Sequence, residues 1–122
     1  MPLVFVTTTP GLMTDLECRA LGEHLQQVVA QALNAPEDED GKLTPKEIEV
    51  RFQLVSPRTV NPSPFAVEIF ANDYPSRKAN LDYRVGRIAR ELRVFPMIPQ
   101  SVIDGKGGFV WVLLGAGGFE KL

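Results

Sequence analysis

The residue of this chain best placed to do chemistry is its second. The sequence opens MPLVFVTT. A proline inside a chain has no amide donor, so a sheet tolerates it at the first residue of a strand or along an edge. Removal of Met1 would add a second property. Pro2 would then be a free secondary amine at the mouth of a sheet, and such an amine can act as a base.

Other chemically capable groups carry weaker signals. Residues 36–47 (PEDEDGKLTPKE) place Asp38, Asp40, Gly41 and Glu47 almost in calcium-loop register. Position one is Pro36, which supplies no carboxylate, and the next segment reads as a strand rather than a helix, so no calcium site is expected. DGKGGF and GAGGF lack the spacing of a phosphate loop and precede no helix, so no nucleotide site follows. Cys18 falls on an apolar helical stripe, where a thiol is a small inert hydrophobe. His24 sits on the flank of that helix with no second His or adjacent Cys, and is read as structural. No metal and no cofactor is expected. Arg84, Arg87, Arg90 and Arg93 recur at near-helical spacing, a basic stripe that could contact RNA or an acidic partner; Asp82 and Glu91 interrupt it, and a solvated face explains it as well.

The elements that must position Pro2 are legible from pattern. Residues 3–8 (LVFVTT) read as a strand. Thr14 and Glu17 form a capping box that opens a helix whose Cys18, Leu21, Leu25, Val28, Val29 and Ala32 make one stripe, ending near Asn34. A charged loop over 37–47 leads to a strand over 48–55, where Ile48, Val50, Phe52 and Leu54 alternate with Glu49, Arg51 and Gln53. After the proline-rich linker 57–64 the order repeats: a strand over 65–72, a turn, a helix over 79–93 and a strand over 109–114. The fold class is α+β, with two tandem β-α-β units (1–56 and 65–122) in one domain. They form a four-stranded mixed sheet with two helices on one face, and right-handed crossovers are expected.

Composition bounds the rest. A length of 122 residues suits one domain, and 44% hydrophobic with 23% charged residues is ordinary for a globular chain. No apolar run approaches the roughly 20 residues of a membrane span, and the start has no basic leader, so no membrane or secretory segment is expected. Cys18 is the single cysteine, which excludes an internal disulfide and fits a reducing cytoplasm. A formal charge of −2 gives no general pull toward nucleic acid. One burial problem remains. Two helices cover one face of the sheet, yet LVFV and FVWVLL are apolar on both faces. Further copies of the chain are the expected cover, in a symmetric homo-oligomer.

Met-Pro leading into a strand, on duplicated β-α-β units, resembles the tautomerase superfamily, the group of 4-oxalocrotonate tautomerase and macrophage migration inhibitory factor. ALNAP (32–36), EVRF (49–52) and GAGG (115–118) carry the local likeness. The resemblance implies a homotrimer with active sites between subunits near Pro2, which acts as general base on a small keto or enol carboxylate. It also implies arginines that hold the substrate carboxylate, since a guanidinium matches carboxylate geometry. Arg51 corresponds by its place in the second strand, and Arg77 by its place in the turn after the third. Tyr74 could donate a hydroxyl beside them. Departures are the absence of arginine from the first-half turn TTPGLMT and of a convincing acidic partner, for which Glu68 is the candidate. Each arginine has a second reading: Arg51 as an ion pair with Glu49 or Glu68 at an interface, Arg77 with Lys78 as a solvated turn. The function expected is thus a tautomerase or isomerase. The alternative is a non-catalytic oligomeric binder contacting RNA or an acidic partner through the basic second helix.

Overall fold

The computed structural model describes residues 2–38, 41–116 and 122. Met1, Glu39, Asp40 and residues 117–121 lie outside them, and with these the retention of Met1, part of the calcium-like loop and the end of GAGG.

Four strands, β1 (Leu3–Thr8), β2 (Glu49–Leu54), β3 (Phe65–Asn72) and β4 (Phe109–Gly115), form one mixed sheet in the order β2-β1-β3-β4. β1 runs parallel to β2 and β3 parallel to β4, while β1 and β3 pair antiparallel and join the halves. The most apolar early strand is therefore central, and the charged alternating strand is an edge. α1 (Asp15–Leu33) starts on the Thr14 and Glu17 capping box and ends at Asn34, whose Oδ1 accepts the Leu43 N–H at 3.0 Å.

The second helix differs from expectation. The segment expected as a turn holds a one-turn helix, α2 (Pro75–Ala79), and the main helix α3 spans Leu81–Val94. Pro75 at the first helical position starts α2 readily, because its missing N–H would have had no intrahelical partner. Asn80 (φ −138°, ψ 40°) separates the two.

Register sorts the side chains. Val4, Val6, Val67, Ile69 and Val112 face the helices and pack with Leu21, Leu25, Val29, Ile88 and Leu92 in one core. Both α1 and α3 lie on this face. The apolar stripe of β2 fulfils its expectation only at its start: Ile48 is buried, whereas Phe52 and Leu54 are 38% and 65% exposed. An edge strand at the end of the layer has less helix above it.

Among the described residues the opposite face carries no helix. Its rows run Glu49–Leu3–Phe70–Leu113, Arg51–Phe5–Glu68–Trp111 and Gln53–Thr7–Ala66–Phe109. Phe5 and Phe70 meet edge to face at 5.8 Å, and Trp111 is 59% exposed. This is the open apolar face that the strand composition requires.

The approach to β4 is tight at Gly108, where a Cβ would run into the Val102 carbonyl oxygen. Gly108→Ala should cost about 1–3 kcal/mol, the scale of overpacking. Urea unfolding measures it; unchanged stability would mean that the turn yields.

Candidate active site

Pro2 is buried at the head of the central strand, and its carbonyl accepts the Glu49 N–H at 3.4 Å. Continuing the β1–β3 register by one residue sets Pro2 opposite Ala71. At this end of the open face a cleft of about 350 Å³ lies between Leu3, Phe70, Asn72, Leu113 and Gly115. Its walls are mostly apolar.

Arg51 shares that face, as its place in β2 predicts, but across β1 from the cleft. Its Nε donates to Glu49 Oε2 at 2.5 Å, and its guanidinium carbon stands 5.8 Å from the centre of the Phe5 ring. Glu68 flanks Phe5 on the other side. Among the described residues no ion pair or side-chain hydrogen bond engages Glu68.

Arg77 is elsewhere, and the solvated-turn reading is overturned. It is 1% exposed; its Nε donates to the Leu33 carbonyl at 2.7 Å and a terminal nitrogen to the Asn72 carbonyl at 3.1 Å. Burial is the main cause that lowers its pKa, and Arg84 adds to it, while Tyr74 and Asp38 oppose. Tyr74 is half-buried with its ring 4.7 Å from the Arg77 guanidinium. Both residues thus sit under the end of α1 rather than on the open face with Arg51.

Arg84 completes this arrangement and breaks up the supposed basic stripe. Its terminal nitrogens donate to the Ala32 and Asn34 carbonyls at 3.0 and 2.9 Å and to the Ser76 carbonyl at 3.2 Å. The last carbonyls of a helix have no intrahelical partner and carry its negative dipole end, and α1 has no basic residue in its own last turn. Two guanidiniums from the second half supply the missing donors. Sequence reading did not find this role, although the uncapped end of α1 was a signal that donors must come from afar.

The remaining candidates are quiet. Burial, followed by Asp15 and Glu17, pushes the Cys18 thiol up, which favours the protonated thiol over the nucleophilic thiolate. His24 stacks on Phe95 at 4.6 Å, with Nε2 4.0 Å from Glu91, so it ties α1 to α3. Among the described residues no cluster of three His, Cys, Asp or Glu side chains could hold a metal, and no helix is long and apolar enough to cross a membrane.

The burial of Arg77 predicts a contrast. Arg77→Met should lower stability by roughly 2–4 kcal/mol, since it leaves two buried carbonyls without their charged donor. Arg51→Met, on an exposed edge, should lie within about 1 kcal/mol of wild type when the unfolding of dissociated single copies is compared. Equal costs in denaturant unfolding would contradict the assignment.

No family model matches the sequence, and no curated protein matches it. Solved structures do. The macrophage migration inhibitory factor-like protein of Entamoeba histolytica is 10% identical, with a TM-score of 0.59 over 98% of this chain and 95% of that one. The MIF2 protein of Leishmania major is 16% identical, at 0.55 over 94% and 89%. A fused 4-OT, described as an asymmetric trimer, is 11% identical, at 0.61 over 98% and 91%. At these identities the likeness speaks for architecture, and the fold of this chain is that of the tautomerase and macrophage migration inhibitory factor proteins.

Proposed function

We propose that this chain is a tautomerase or isomerase in which Pro2, freed by removal of Met1, is the general base on a small keto or enol carboxylate. The observation that carries this is the position of Pro2: buried, just ahead of the central strand β1, whose Leu3 lines a mostly apolar cleft. An α-amine has a pKa of roughly 8, and apolar surroundings disfavour its cation and bring it toward neutrality. A base poised there moves protons next to a carbonyl efficiently.

The working form in this proposal is a homo-oligomer, and the trimeric fused 4-OT proteins favour a trimer. Arg51 serves as the carboxylate anchor. Within one copy β1 separates Arg51 from the cleft, so the guanidinium that reaches a given cleft belongs to a neighbouring copy. Its Nε is held by Glu49, which leaves the terminal nitrogens as the fork. Arg77 and Tyr74 hold the end of α1 rather than touch substrate. A reducing cytoplasmic setting fits the single cysteine. The binder alternative loses support because Arg84 is turned inward onto α1.

Two experiments test the chemistry. Ketonisation of phenylenolpyruvate or 2-hydroxymuconate is compared for the processed chain, for Pro2→Ala and for a form that keeps Met1, with the N-terminus verified by mass spectrometry. Activity is expected only in the processed chain; equal rates in all three remove Pro2 from the mechanism. With a substrate in hand, Arg51→Ala should lower kcat/KM by about ten- to a thousandfold, and Arg51→Lys should recover only part of it. Unchanged kinetics in a folded, assembled Arg51→Ala protein would make Arg51 structural.

A further inference from the structure

The open face is apolar along most of its rows, and its charges are few. Glu49, Arg51 and Glu68 are the ionised side chains that the strands direct to it. Glu49 and Arg51 already pair on the edge strand. Glu68 stands near the centre, between Phe5 and Trp111 in its row and next to Phe70 along its own strand, and it has no ion-pair partner among the described residues.

That isolation decides what can cover the face. A carboxylate taken out of water beside aromatic rings is costly unless a cation meets it. The face offers one guanidinium, Arg51. Within a copy the two do not meet. Both lie in register with Phe5, Arg51 on one side and Glu68 on the other, so their strands are about 9.5 Å apart. The Phe5 ring lies between them. A neighbouring copy packed on the face has no such obstacle.

We infer that Glu68 of one copy receives Arg51 of the next, and that this pair sets the register of the copies and holds the incoming guanidinium at the rim of the Pro2 cleft. The rim is near: Phe70, two residues beyond Glu68 on the same face, lines that cleft. An Arg51 whose Nε rests on its own Glu49 retains four N–H groups on its two terminal nitrogens, a forked pair for a substrate carboxylate and a further N–H for Glu68 of the neighbour. Glu68 is then a positioning residue, acting through Arg51. The inference rests on the oligomeric reading above, but its main test needs no turnover.

The test is a double-mutant cycle on assembly. Wild type, Glu68→Gln, Arg51→Gln and the double variant are sedimented over a wide range of dilution, with circular dichroism to verify folding. Each single variant should raise the dissociation constant by about tenfold or more, and the double variant should be within about threefold of the worse single. Independent effects that multiply in the double variant overturn the pairing. So does a Glu68→Gln protein that assembles as well as wild type, and so does a wild type that stays monomeric. Coupling found in the unfolding of the monomer rather than in assembly would place the pair within one copy and also overturn it. Where turnover is measurable, Glu68→Gln should raise KM more than it lowers kcat; an unchanged KM contradicts the positioning role. Failure of Pro2 as a base would leave the cycle on assembly intact, so the two ideas fail separately.

Discussion

A sheet presents two faces to its surroundings, and this chain carries helices for one. The remainder of the structure can be read from that constraint. α1 and α3 lie side by side on Val4, Val6, Val67, Ile69 and Val112 and close a dry core with them. The other face presents Leu3, Phe5, Phe70, Trp111 and Leu113, side chains large enough to drive association when copies meet. The cleft lined by Leu3, Phe70 and Leu113 opens on that same face, so whatever meets the face also meets the cleft.

The two halves are tied together in two places. β1 and β3 join them through the sheet, and the C-terminus of α1 joins them through Arg77 and Arg84. A guanidinium that satisfies main-chain carbonyls at a helix end both stabilises the helix and fixes its position against the strand ends. Here that position is beside Asn72, at the end of β3. The same residue type is therefore placed differently in the two regions: Arg77 is buried and committed to carbonyls, while Arg51 is exposed with its Nε on Glu49.

Much of this was legible in the residues. Alternation in IEVRFQLV put Arg51 on the face away from the helices, and the apolar run FVWVLL required an uncovered face. The Thr14 and Glu17 capping box placed the start of α1. What could not be read was long-range. The sequence of the segment after β3 shows a proline, an arginine and a lysine, and nothing local says that Arg77 turns inward to Leu33, 44 positions away. Nor does a regular arginine spacing reveal that Arg84 has carbonyl partners on α1. The C-terminal end of β2 misled for a related reason: alternation reports which residues share a face, not how fully the helices cover Phe52 and Leu54.

The central claim is that the open face is covered by another copy of this chain, and Trp111 reports on it directly. It is the single tryptophan, it stands on that face, and within one copy it is 59% exposed. The measurement is its emission spectrum as the protein is diluted from high micromolar to nanomolar concentration, with mass followed in parallel by light scattering. A covered face predicts blue-shifted emission in the assembled state that moves to the red as the mass falls. Emission of a water-exposed indole at every concentration, with the mass of one chain, would contradict it.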